Sequence, residues 1–342
     1  MLARERVLSM INSAWMCQAI ATACELDLFD HIADGHETVD ALSSVARADA
    51  GSVYRLLRAL TTLDLCEERG NGTFALSADG ALLRREAESG LHYWARMSGR
   101  RSWTNWAGLA DCVRAGSSVR KRLFGGEDFT ALNKDPTGAA IFNRAMADLT
   151  RPVALAAAQK LNWSGFKRVV DVGGGPGELV ATLLEQHAHL HGVVFDLEHA
   201  VVPALERMRR AGLAERCEIV AGSFFESVPT GDAYLLKSVL HNWDDARALD
   251  ILKACGRSIA ADGVVFLFER IAPERYSSSA ADRDVARSDL NMLVGCDGRE
   301  RTEAQFRVLL ENAGFALQRT QFLAASVSAL LATRIASSAR RL

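Results

Sequence analysis

A doubly wound α/β sheet, preceded by a helical module that ends in a two-stranded wing, is the fold class predicted by three features. From Lys167 onward, short apolar runs alternate with helical stretches, as parallel strands joined by crossover helices do. A glycine cluster stands where the first of these runs gives way to a helix. Before residue 90, an apolar stripe of helical period leads into two short segments that flank a Gly-Asn-Gly turn.

The elements follow in chain order. Residues 1–90 read as short helices. Val53, Leu56, Leu57, Leu60 and Leu63 make one apolar face, and Cys66–Arg69 and Thr73–Leu76 pair across Gly70-Asn71-Gly72. A winged helix that reads DNA presents cations on its recognition helix. Between Ala50 and Glu68 only Arg55 and Arg58 stand, against Asp64, Glu67 and Glu68. A packing or dimerisation module is therefore expected, with no nucleic-acid partner. Residues 91–160 read as connecting helices rich in aromatics: Tyr93, Trp94, Trp103, Trp106, Phe124, Phe129 and Phe142. Core packing explains such rings, and so does a wall of flat side chains around a flat substrate at a domain junction. Residues 161–342 form the sheet domain. Its strands are Arg168–Val172, Val193–Phe195, Cys217–Val220, Ala233–Leu236 and Val264–Phe268. A helix from Thr302 and two late strands within 316–334 complete it.

Composition narrows the function. Of 342 residues, 49% are hydrophobic and 24% charged, so the chain is neither disordered nor fibrous. Its 40 basic and 42 acidic side chains leave a net charge of −2, which makes no case for binding nucleic acid or an anionic membrane. Seven scattered cysteines without a Cys-x-x-Cys pair suit free thiols in a reducing cytoplasm. Asn12, Ser13 and Gln18 interrupt the N-terminal apolar stretch, so neither a signal peptide nor a membrane span is expected.

The chemistry concentrates after the first strand, in Asp171-Val172-Gly173-Gly174-Gly175-Pro176-Gly177. Glycines admit a ligand close to the backbone, and the helix that follows offers amide donors. A dinucleotide fingerprint starting at Gly173 needs Gly or Ala at 178, where this chain has Glu178. Asp171 suits an ammonium group instead. Asp196, at the end of the second strand, suits ribose hydroxyls. S-adenosylmethionine carries both and no phosphate, so it fits better than a nicotinamide cofactor. His187, His189 and His191 alternate without a companion carboxylate or cysteine at ligand spacing, so no metal is expected.

Five segments together resemble the caffeate-type and hydroxyindole-type O-methyltransferases, in their bacterial natural-product branch. They are Asp171 to Gly177, Phe195-Asp196-Leu197, Leu236 to Trp243, Glu269, and Gly298-Arg299-Glu300-Arg301-Thr302. The resemblance covers nearly the whole chain. It implies a Rossmann-like class I methyltransferase sheet, a winged-helix dimerisation domain and a homodimer. His241 would be the general base, flanked by Glu269 and Glu300. Asp171, Gly173, Gly175, Gly177, Asp196, Leu197, Ser223, Phe224, Lys237 and Trp243 would hold S-adenosylmethionine and its product S-adenosylhomocysteine. Phe142, Asn143, Met146, Asn242 and Met292 would meet the substrate. Taken alone, His241 reads first as a capping or packed residue before the helix near Asp244, and the apolar substrate candidates read equally as core.

Two departures from the family pattern stand out: Ser223 where an acid is common, and Asn242 where Asp usually follows the histidine. Cys296 is placed in a loop before Glu300, as an unreactive thiol. The implied activity is methyl transfer to a hydroxylated aromatic metabolite. Hydroxyphenazines come first, then anthracycline-like polyketides and simple phenols. The alternatives are N-methyl transfer to a related heteroaromatic, a nicotinamide oxidoreductase, and a non-catalytic winged-helix regulator that retains the cofactor.

Overall fold

The computed structural model describes residues 3–70, 72–88, 90–118 and 135–335; Asn71, Phe124 and Phe129 lie outside them. The chain forms two compact units. One comprises Met1–Thr104 and Asp135–Leu149, the other Asn105–Lys134 and Thr150–Leu342.

The first unit begins with α1 (Ala3–Glu25), α2 (Leu28–Ala33), α3 (Val39–Ala46) and α4 (Ala50–Thr61). Thr38 caps α3 by accepting from Ala41 N–H at 3.2 Å, and Asp49 caps α4 by accepting from Ser52 N–H at 2.8 Å. Val53, Leu57 and Leu60 of the predicted stripe are buried against Leu28, Phe29, Leu42 and Phe74. Each such side chain contributes roughly 1.5–3 kcal/mol through burial. Leu63 falls beyond the end of α4 and only half-buries.

The wing forms as expected. β1 (Cys66–Glu68) pairs antiparallel with β2 (Phe74–Leu76), Cys66 opposite Leu76. After α5 (Ala78–Ala81) and α6 (His92–Met97), a π-turn at Ser98–Ser102 leads to α7 (Trp103–Ala107) and α8 (Leu109–Ala115). α9 (Pro136–Lys160) contributes its first half to this unit. There the Arg144 guanidinium lies 5.1 Å over Tyr93, and Arg101 lies 5.9 Å from Phe142. α1 departs from expectation. Despite its polar interruptions it is long and apolar enough to cross a membrane by length and composition, and Val7, Leu8, Met10, Ile11 and Trp15 are exposed on it.

The second unit carries β3 (Arg168–Val172), α10 (Glu178–Gln186), β4 (His191–Asp196), α11 (Glu198–Arg210), β5 (Cys217–Ala221) and β6 (Gly231–Lys237). These are followed by α12 (Asp245–Ser258), β7 (Ile259–Arg270), α13 (Ala280–Cys296), α14 (Glu303–Asn312), β8 (Phe315–Ala324) and β9 (Val327–Arg334). The sheet order is β5-β4-β3-β6-β7-β9-β8. β3 to β7 are parallel, and β3, between β4 and β6, is buried on both faces, which is why it reads as a nearly unbroken apolar run.

The two late strands differ from the parallel expectation: β9 pairs antiparallel with both β7 and β8. Only Ala325 and Ser326 join them, at φ 49° and 62°, a two-residue hairpin that cannot connect parallel strands. One face of the sheet packs on Trp163, whose ring lies 4.8 Å from Phe266; the other packs under α12 and α14 around Phe306 and Leu310. β4 and β6 flank β3 on opposite sides, so the order reverses there and opens a crevice at the carboxyl edge.

Candidate active site

The glycine turn lies at that crevice. Gly173, Gly175 and Gly177 take φ of 73°, 52° and 76°, where other residues are strained. A Cβ at Gly177 would also come within 2.9 Å of Met208 Cε and Val194 Cγ2, so these side chains would have to shift. The Asp196 carboxylate accepts from Gly175 N–H at 2.8 Å and from Leu197 N–H at 2.7 Å, so the turn and the end of β4 are tied together. Asp171 is buried, and its Oδ2 has no hydrogen-bond partner among the described residues. Burial, with Asp196 nearby, pushes its pKa up to about 7. Glu178 opens the helix that follows the turn. It is buried, with Arg207 Nε at 3.0 Å and Arg151 at 3.7 Å.

Ser223 follows β5, and its Oγ accepts from Phe225 N–H at 3.3 Å. Phe224 and Phe225 pack edge-on against Trp243, with centroids 6.0 and 4.9 Å away. Lys237 ends β6. Burial and Arg270 pull its pKa down to about 8, against the opposing pull of Glu269, Asp171 and Glu300.

Beyond it the chain bends sharply. Ser238 is left-handed at φ 54°, and Leu240–Asn242 form a 3₁₀ turn. This places His241 inward and buried. Its Nδ1 lies 3.1 Å from Glu300 Oε1 and 3.7 Å from Glu269 Oε2. The glutamates differ in their duties. Glu269 Oε1 accepts from Val239 N–H at 3.1 Å and Leu240 N–H at 2.9 Å, holding the turn, whereas Glu300 also accepts from Ser288 Oγ at 2.6 Å. An ionised carboxylate only accepts, so the imidazole carries its proton on Nδ1 and leaves Nε2 able to take one. Burial lowers the affinity of His241 for a proton, but Glu269 and Glu300 outweigh it and raise its pKa. Burial raises the pKa of Glu269; His241 and Ser288 overcome burial at Glu300 and lower its pKa.

Asn242 donates from Nδ2 to Ser238 O at 3.0 Å, and Cys296 Sγ lies 3.6 Å from Asn242 Oδ1. Cys296 is the last residue of α13 rather than a loop residue; its thiol also reaches Met292 O at 3.4 Å. Met292 is buried on the same helix, where Asn291 accepts from Trp106 Nε1 at 3.0 Å. Phe142, Asn143 and Met146 lie on the part of α9 that belongs to the first unit. His187 and His189 direct Nε2 to the carbonyls of Ala158 and Trp163, each at 3.1 Å, which accounts for both rings without an ion.

Two site residues escaped the sequence reading. Gly298 packs its Cα on the backbone of His241 and Asn242. Arg301, fully buried, donates to Leu240 O at 2.8 Å and Trp243 O at 2.7 Å. Both stand in the quoted Gly298–Thr302 segment, but nothing in a linear sequence marks an arginine as buried.

A sheet of this order, with acids ending its first two strands and an orphaned carboxylate under a glycine turn, has the architecture of class I methyltransferases. The chain belongs to the O-methyltransferase family: residues 106–316 match its O-methyltransferase domain and residues 8–84 its dimerisation domain. The phenazine O-methyltransferase PhzM of Lysobacter antibioticus is 33% identical over 323 residues, covering 94% of each chain. The crystal structure of LaPhzM superposes with a TM-score of 0.93 at 32% identity, covering 98% of this chain and 100% of the other. That of the O-methyltransferase NcsB1 from neocarzinostatin biosynthesis, in complex with S-adenosylmethionine and 2-hydroxy-5-methyl naphthoic acid, gives 0.79 at 32% identity, covering 94% and 96%.

Proposed function

We propose that this protein transfers a methyl group from S-adenosylmethionine to a ring hydroxyl of a fused-ring aromatic natural product, with a hydroxyphenazine as first choice and His241 as general base. The observation that carries it is the buried His241–Glu300 contact of 3.1 Å at the carboxyl edge of the sheet. The phenazine O-methyltransferase that aligns over 94% of this chain supports the substrate class.

Asp171, with its unpartnered oxygen, would hold the ammonium of the cofactor and Asp196 its ribose, beside the backbone of Gly173, Gly175, Gly177 and Leu197. Ser223, Phe224, Lys237 and Trp243 complete the cofactor residues. S-adenosylmethionine supplies, when bound, an electrophilic methyl on sulfur. The work of the chain is to orient the hydroxyl and remove its proton. His241 Nε2 takes that proton, and Glu300 stabilises the imidazolium that results. Asn242 and Met292 are the proposed substrate contacts. Much of the acceleration then comes from alignment rather than from acid–base strength.

The dimerisation domain and the exposed apolar row on α1 support a homodimer. None of the seven cysteines forms a disulfide, which suits the cytoplasm we assign to it.

The test is incubation of the purified protein with methyl-labelled S-adenosylmethionine and a panel of hydroxyphenazines, anthracycline aglycones and simple phenols, read by mass spectrometry. Label on an aromatic oxygen is the expected result. Label on a ring nitrogen would favour the N-methyl reading. No label, with no binding of S-adenosylhomocysteine, would overturn the proposal.

A further inference from the structure

We propose that Arg301 is a positioning residue for methyl transfer: its guanidinium clamps the turn that carries His241, so that the imidazole meets Glu300. The inference rests on His241 being the base.

The Leu240–Asn242 turn is a single 3₁₀ turn behind a left-handed Ser238, too short to satisfy its own polar groups. Its entrance is held through N–H groups, by Glu269 Oε1 on Val239 and Leu240. Its two ends are held through carbonyls, by Arg301. Nη1 donates to Leu240 O at 2.8 Å and Nη2 to Trp243 O at 2.7 Å, so the two bonds bracket His241 and Asn242. Nε donates to Asp245 Oδ1 at 2.9 Å, anchoring the fork to the first turn of α12. The Arg301 backbone is fixed as well, pairing with Ile271 and accepting from Ala272 N–H at 2.9 Å, next to the strand that bears Glu269.

The side chain is fully buried, and its neighbour Glu300 is the partner of His241. One segment thus fixes both members of the pair. A planar fork is needed for this task, because an ammonium cannot reach both carbonyls in the required geometry. The charges with the largest effect on His241 are Glu269 and Glu300, which raise its proton affinity, and Lys237, which lowers it.

The experiment is an NMR titration of full-length protein carrying ¹³C-labelled histidine and saturated with S-adenosylhomocysteine. The His241 signal is assigned by its loss in His241→Gln. Arg301→Lys keeps the charge and breaks the fork. The expected result is a His241 pKa that falls from its raised value towards the ordinary imidazole range. For any panel phenol that accepts label, kcat should drop about 10-fold to 100-fold while S-adenosylhomocysteine affinity stays within about twofold.

A His241 titration and kcat unchanged in Arg301→Lys, even with a lowered Tm, would overturn the proposal and leave Arg301 structural. Arg301→Met separates clamp from charge. Loss of a nearby positive charge alone would raise the His241 pKa, whereas loss of the clamp lowers it, so a rise overturns the proposal. Should neither variant fold, Asp245→Ala decides: it removes the acceptor of Arg301 Nε, and a fall in kcat is expected, where an unchanged kcat with an unchanged titration would refute. If His241→Gln itself retains full transfer, the base assignment has failed rather than the clamp.

Discussion

His241→Ala is expected to lower kcat for methyl transfer by about 10²-fold to 10⁴-fold, the range that a positioned general base contributes. The imidazole is the neutralisable group held between Glu269 and Glu300, with Nδ1 committed to Glu300. Alanine removes the acceptor and leaves two buried carboxylates without their cation, so Glu300 should lose the lowering that His241 provides and become harder to ionise. S-adenosylhomocysteine binding should change little, because Asp171, Asp196 and the glycine turn hold their places without His241. Initial rates with labelled cofactor, alongside calorimetry with S-adenosylhomocysteine, check both halves. A kcat within threefold of wild type (~0.6 kcal/mol) would remove His241 from the mechanism.

Gly298→Ala should be nearly as damaging, for a different reason. A Cβ at this position would clash with His241 O and sit 2.7 Å from Asn242 C and 2.8 Å from Asn242 Cα. All three are backbone atoms, so no side-chain rotation relieves the contact. The turn must move bodily, and Arg299 N–H, which donates to the same carbonyl at 2.9 Å, moves with it. Overpacking of this kind costs about 1–3 kcal/mol of stability. A displacement near 1 Å at the base costs about 10²-fold in rate. Gly295→Ala is the control. It lies in α13 with nothing within 4 Å of the new methyl, and a helical alanine there should be neutral or stabilise by about 0.5–1 kcal/mol. Thermal unfolding and initial rates of the two variants separate a local steric effect from a general intolerance of substitution.

What could be read in the sequence is what local rules control. Val169, Val170 and Val172 announce a buried strand, and Gly173 to Gly177 announce the turn, because both depend on residues adjacent in the chain. The wing and α4 were legible for the same reason. The direction of β8 and β9 was not. Alternation says that strands occur, and only the two-residue link at Ala325 and Ser326 dictates antiparallel pairing. Cys296 was misplaced because the helical period of α13 continues past the point where a loop was expected.

The proposed base and its two acids can be listed from resemblance, but their division of labour cannot. It depends on which oxygen meets Val239, Leu240, Ser288 or the imidazole, contacts that join segments up to 59 residues apart. Glu178 taught the opposite lesson. In the sequence it marks only a broken dinucleotide fingerprint; that Arg207 and Arg151, far off in sequence, meet its charge is visible only in the fold.

The most direct measurement is the pH dependence of kcat/KM for wild type and Glu300→Gln, since this parameter reports ionisations of the free enzyme. A base must be neutral to accept a proton, so activity should rise with pH through an acid limb set above the ordinary imidazole value, because the pKa of His241 is raised. Asp171, pushed up to about 7, titrates in the same window, so the diagnostic is the displacement caused by the substitution and not the limb itself. Glu300→Gln removes one of the two negative charges that raise the His241 pKa, and the limb should move to lower pH with a reduced plateau. Superimposable limbs at an unchanged plateau would contradict a His241 base tuned by Glu300.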